Sequence, residues 1–128
     1  MNKKIYLSPP FVNSLDKDYL IKAFDSNWIA PNGPFLDKFE KEIAKYLGVK
    51  SSCAVSSGTA ALHLALKVLN IGKSDVVLCP SFTFAASANV ILYENATPVF
   101  LDVDSKKWTL DIEILEIAIK KYKPKALI

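Results

Sequence analysis

From residue 52 onward, short apolar runs alternate with segments of helical length, and this alternation restricts the possible architectures more than any other feature of the chain. A strand is expected around Ser52–Ser56, followed by a helix from about Gly58 to Asn70. Asp75-Val76-Val77-Leu78-Cys79 is β-branched and apolar, as a strand covered on both faces should be, and Pro80 stops it. Residues 81–93 predict a loop and a helix rich in small residues, and Thr97 to Asp104 a further strand. Thr109 or Asp111 then caps a helix whose inward residues are expected to be Ile112, Leu115, Ala118, Ile119 and Tyr122, and Lys125–Ile128 begins one more strand. A β-α-β-α-β-α-β order of this kind implies an α/β layer with a mostly parallel sheet flanked by helices. Two helices precede it. One runs from a cap at Ser14 or Asp16 to about Ser26; the other covers Phe35–Leu47 and ends at Gly48. Residues 1–13 are expected to be extended, because Pro9-Pro10 cannot lie inside a helix. The expected division is 1–51, an arm with helices and a loop, and 52–128, the first part of an α/β domain cut at Ile128.

The stretch Ser56-Ser57-Gly58-Thr59-Ala60 joins the first expected strand of this layer to its helix. Small and hydroxylated residues there present bare backbone N–H groups at a helix N-terminus, where an anion can dock. An ordinary N-cap uses the same residues, and spacing alone leaves both readings open. In an open α/β sheet, ligands collect at the carboxyl ends of the strands. The loop after Cys79 opens on that edge and brings Phe82 or Phe84 beside the cradle, either to stack on a planar group or to pack in the core. The loop Asn27-Trp28-Ile29-Ala30-Pro31-Asn32-Gly33-Pro34 breaks regular structure; Trp28 and Ile29 either tuck into a core or interface, or line a site.

Residue supply removes several chemistries. Four glycines, at 33, 48, 58 and 72, form neither a dinucleotide fingerprint nor a P-loop. One histidine and two separated cysteines do not make the usual zinc sets, so no metal is expected. His63 is expected as a partly exposed helix residue, four before Lys67 on one face. Asp102 and Asp104 fit a strand-end turn better than a metal site. A net charge of +3 with lysines scattered among acids does not imply nucleic-acid binding. No apolar run approaches the roughly 18 residues of a membrane span or resembles a secretory signal, and the cysteines read as buried free thiols. A cytoplasmic protein is expected.

Taken in order, N-W-I-A-P-N-G-P (27–34), S-S-G-T-A-A-L-H-L-A-L (56–66), P-S-F-T-F-A-A-S (80–87), P-V-F-L-D-V-D (98–104) and T-L-D (109–111) resemble the DegT/StrS-type sugar aminotransferases. The resemblance covers nearly the whole chain. It implies the large domain of the aspartate aminotransferase fold (fold type I), with pyridoxal 5′-phosphate (PLP) as cofactor. It implies transfer of an amino group, usually from glutamate, to a nucleotide-linked keto sugar in a homodimeric enzyme. By matching position, Gly58 and Ala60 would hold the cofactor phosphate through N–H groups, Thr59 through its hydroxyl, and Ser57 would belong to the same cradle. Phe84 would stack on the pyridine ring, and Asn27, Trp28, Ile29 and Ala30 would face the substrate. The family's Schiff-base lysine and its pyridinium-pairing carboxylate match no position here, so the chain is expected to be an N-terminal part that is inactive alone. A lysine-lacking regulatory relative, or another α/β enzyme that binds a phosphorylated ligand, are the competing expectations.

Overall fold

The computed structural model describes residues 4–128. The first three residues of the expected extended arm lie outside the described residues. The chain divides into two compact units at Ala54/Val55, each described by itself below.

The first unit carries two helices. α1 (Ser14–Asp25) is capped by Asn13, and not by the expected Ser14 or Asp16. The Asn13 side chain accepts from the Leu15 and Asp16 N–H groups, and Asp16 Oδ2 accepts from the Asn13 N–H at 2.8 Å. This reciprocal box satisfies two kinds of orphan donor at once, which Ser14 could not do from inside the first turn. α2 (Pro34–Leu47) starts with proline at its first position and ends at Gly48, which adopts φ +66°. That left-handed cap is one that glycine, lacking a Cβ, reaches without strain. Tyr19 of α1 meets Phe35 edge to face, with centroids 6.1 Å apart. The only buried residue of the two helices is Ala44.

The second unit is a three-layer α/β arrangement. α3 spans Gly58–Val68, β1 Val76–Pro80, α4 Ala85–Tyr93, β2 Thr97–Leu101, α5 Ile112–Tyr122 and β3 Ala126–Leu127. Among the described residues the strands form one parallel sheet in the order β2-β1-β3. Successive side chains of a strand point to opposite faces, and β1 shows this directly. Val77 and Cys79 face a cluster with Leu66 of α3 and Val90 and Ile91 of α4. Leu78, between them, faces Leu101 and Ala118 of α5. All three β1 residues are fully buried, as a central parallel strand requires. Burial also pushes the Cys79 thiol above its ordinary pKa, which keeps it protonated and unreactive.

Three details differ from expectation, the first being that Cys53 is exposed and not buried like Cys79. Residues 52–56 form no strand, because no strand among the described residues pairs with them. Their polar groups find partners in α2 instead: Ser52 Oγ donates to the Glu40 carbonyl, and the Ala54 N–H donates to Glu40 Oε1 at 2.8 Å. The inward face of α5 is Ile114, Leu115 and Ala118, while Ile112, Ile119 and Tyr122 are exposed. Of the two expected caps of α5, Asp111 is the one used, accepting from the Glu113 and Ile114 N–H groups. β3 is tied to the turn before β1 by Lys125 Nζ, which donates to the Asn70 carbonyl and pairs with Asp75 Oδ2 at 3.0 Å. That hydrogen bond, helped by the Gly72 N–H, holds the Asp75 carboxyl below the usual range. No helix among the described residues is long and apolar enough to cross a membrane.

Candidate functional site

The first turn of α3 is the most distinctive polar surface of the second unit. Ser57 is extended (φ −163°, ψ 162°) and acts as N-cap, its Oγ accepting from the Ala60 N–H at 3.1 Å. The Ala61 N–H donates to the Ser57 carbonyl. The N–H groups of Gly58 and Thr59 are then the first-turn donors that helix geometry leaves over. They stand at the positive end of the helix dipole, with no acidic residue in that turn. The serine cap is therefore present, and beside it the Gly58 and Thr59 N–H groups have no acceptor among the described residues. Ala60 is placed differently from its two neighbours, since an incoming anion would compete with Ser57 Oγ for its N–H.

Gly58 does not have positive φ, so glycine is not needed here to turn the chain. What it supplies is room. A Cβ built on Gly58 would meet nothing within 4 Å, so the ground over the first turn is open. A tetrahedral oxyanion that accepts hydrogen bonds at several oxygens fits such a surface, with the Thr59 hydroxyl as a further donor.

The two aromatic candidates of the β1–α4 loop separate. Phe82 is engaged, meeting Trp108 edge to face with centroids 5.0 Å apart. Trp108 reaches it from a left-handed backbone position, φ 59°. Phe84 is the N-cap residue of α4 and is 81% exposed, and its ring has no aromatic partner of this kind among the described residues. Phe84 is thus the ring left available to stack on a planar ligand. The Asp-x-Asp at 102–104 is engaged in a turn: Asp104 Oδ1 accepts from the Lys106 and Lys107 N–H groups, and Asp102 Oδ1 from the Val103 N–H.

The loop 27–30 lies in the first unit. Asn27 takes φ 56°, a left-handed conformation that asparagine tolerates. The Trp28 indole N–H donates to the Asn32 carbonyl, and its five-membered ring covers the ground a Cβ at Gly33 would need. Trp28 and Ile29 remain more than half exposed, so they do not form a core within this unit. With Leu20, Phe24, Ala30 and Pro31 they line an open apolar hollow of about 510 Å³.

One residue was not singled out by sequence reasoning. Glu94, the C-cap of α4, has a side chain only 5% exposed. Its Oε2 pairs with Lys67 Nζ at 2.9 Å and its Oε1 with His63 Nε2 at 2.5 Å, both from α3. The hydrogen bond from Lys67, above all, holds the Glu94 carboxyl below the usual range despite its burial. His63 is partly exposed as expected and also meets the Tyr93 ring edge to face. The i,i+4 spacing of His63 and Lys67 was the available signal; their acid lies 31 residues from His63 and could not be matched to them by local pattern.

Residues 12–128 match the DegT/DnrJ/EryC1/StrS aminotransferase family. Among relatives, the chain is 50% identical to EpsN of Bacillus subtilis, an inferred pyridoxal phosphate-dependent aminotransferase, over 100% of this chain and 34% of that protein. It is 42% identical to the GDP-perosamine synthase of Caulobacter vibrioides, over 91% of this chain and 31% of the relative. Among solved structures, the PLP form of Spr1654 from Streptococcus pneumoniae, an inferred sugar aminotransferase, superimposes with a TM-score of 0.82 at 33% identity, covering 91% of this chain and 30% of that one. The chain spans about a third of the length of the curated relatives it matches.

Proposed function

The chain belongs to the DegT/DnrJ/EryC1/StrS aminotransferase family, and from that membership we propose that it is the N-terminal part of a PLP-dependent enzyme that aminates a nucleotide-linked keto sugar. Glutamate is the proposed amino donor, and a homodimer the proposed assembly. The observation that carries this reading is the first turn of α3: two unclaimed N–H groups at Gly58 and Thr59, no acid in the turn, and open ground over Gly58.

The residues fit the cofactor. A phosphate group carries about two negative charges near neutral pH, and the helix end offers donors and a favourable dipole to it. Gly58 and Thr59 would hold the phosphate through N–H groups, with the Thr59 hydroxyl as a third donor. Ser57 would keep the turn ordered by capping Ala60, whose own N–H is the donor that a phosphate oxygen would have to win from Ser57. Phe84 would cover one face of the pyridine ring and exclude water from it. The loop Asn27–Ala30 would meet the sugar nucleotide through its exposed apolar side chains and backbone. PLP, when bound, supplies an electron sink through which an amino group moves between donor and acceptor. The chain's own residues hold the cofactor and cover it; the lysine that would bond the cofactor's reactive carbon is proposed to lie outside this chain.

Two assays test this. The complete protein, given PLP, glutamate and a nucleoside-diphosphate 4-keto sugar, should form 2-oxoglutarate and amino sugar in equal amounts; failure with GDP-, UDP- and dTDP-linked sugars alike would overturn the reading. The isolated 128-residue chain, mixed with PLP and treated with borohydride, should show no stoichiometric adduct at a single lysine. Such an adduct, located by peptide mapping, would contradict the proposed division of labour.

A further inference from the structure

We propose that Glu94 is a positioning residue for the phosphate cradle: it clamps α3 to the end of α4 and so fixes where the first turn of α3 stands relative to Phe84. The inference rests on the reading of that turn given above. α3 begins with the proposed cradle and α4 follows Phe84, while Glu94, at the end of α4, meets α3 at His63 in mid-helix and at Lys67 in its last turn. The residues that lead into α3 in this unit, from Val55, make no sheet hydrogen bonds among the described residues. No ladder therefore holds its N-terminal end. Among the described residues, α3 is held by the apolar contact of Leu62 and Leu66 with the Val90–Ile91 cluster, by His63 against Tyr93, and by the contacts of His63 and Lys67 to Glu94. Apolar packing is non-directional and permits sliding and rotation, whereas a carboxylate engaged at both oxygens is directional.

The leverage is considerable. From Gly58 to His63, the nearer Glu94 contact, the helix rises about 7.5 Å, so a swing of roughly 10° about that contact moves the first turn by about 1.3 Å. Hydrogen bonds fail over that distance. Glu94 is nearly buried, so its carboxylate is not free to follow a moving helix. Lys67 and His63 lie four residues apart and hold one carboxylate oxygen each, which resists rotation of α3 about its own axis as well as tilting.

A comparison of PLP with pyridoxal, which lacks the phosphate, separates positioning of the cradle from loss of fold. In the complete protein, Glu94→Gln keeps the size and a hydrogen-bonding oxygen but removes the charge. Its affinity for PLP should fall by about tenfold or more, as expected when one hydrogen bond to the charged phosphate is lost, while its affinity for pyridoxal should be unchanged. A wild type that prefers PLP, with a Glu94→Gln variant that keeps the full preference, would overturn the clamp. A wild type that binds the two equally would remove the cradle itself, and the clamp with it. Should Glu94→Gln not fold, Lys67→Met breaks the same contact from the side chain that is 60% exposed, and the same ratio is read.

Discussion

Gly58→Asp leaves the protein folded and weakens its affinity for PLP by about 100-fold or more, because each hydrogen bond to a charged group is worth about 1.5–3 kcal/mol and two are lost. The two effects of this substitution have opposite signs. For the fold, the new Cβ meets nothing within 4 Å, and the glycine does not use positive φ. An aspartate in the first turn of a helix is favoured by the dipole, and loss of a helical glycine is favourable too, so stability should stay level or rise by up to about 1 kcal/mol. For the ligand, the carboxylate takes the open ground over the turn and repels the phosphate. Thermal unfolding without ligand, alongside equilibrium dialysis with PLP, reads the two quantities separately. A variant that loses stability and affinity together would mean that Gly58 serves the fold, and one that keeps its affinity would mean that the phosphate binds elsewhere.

The largest loss of stability is expected at Leu78. Leu78→Ala should cost about 2–5 kcal/mol, the range for emptying a fully buried leucine site. Leu78 is fully buried on the α5 face of β1, packed with Leu101 and Ala118. Its neighbours Val77 and Cys79 serve the opposite face, so no adjacent β1 side chain can turn into the cavity. The sheet positions the candidate site at one remove: β1 ends at Pro80, four residues before Phe84. Urea unfolding of the complete protein should therefore show an early transition in the variant. Lys73→Ala, an exposed turn substitution, should stay within about 0.5 kcal/mol of wild type. An equal shift in both variants would contradict the placement of the core.

Much of this architecture is legible in local sequence because local chemistry decides it. Pro34 and Gly48 bracket α2 by backbone requirements that hold in any context. The run Val76–Cys79 has no polar face, which already implies cover on both sides. Where several residues can do the same work, the sequence is silent. Asn13 and Ser14 are both good caps, and the reciprocal bond from Asp16 selects between them. α5 carries isoleucine at 112, 114, 117 and 119, so apolarity surrounds the helix and does not say which side meets the sheet. Val55 and its neighbours look like a strand, yet a strand exists only where another chain segment offers matching donors and acceptors. The same limit applies to the site. The proposed cradle at Ser57–Ala60 is local, so the sequence shows it as a type of place. The choice of Phe84 over Phe82 depends on Trp108, and the role of Glu94 on His63 and Lys67, all of them distant in sequence.

The most direct test of the central claim is the structure of the complete protein with PLP bound. The phosphate oxygens should lie within about 3.2 Å of the backbone nitrogens of both Gly58 and Thr59, with the Phe84 ring against the pyridine. A phosphate held by other residues, with those two N–H groups turned to water, would contradict it.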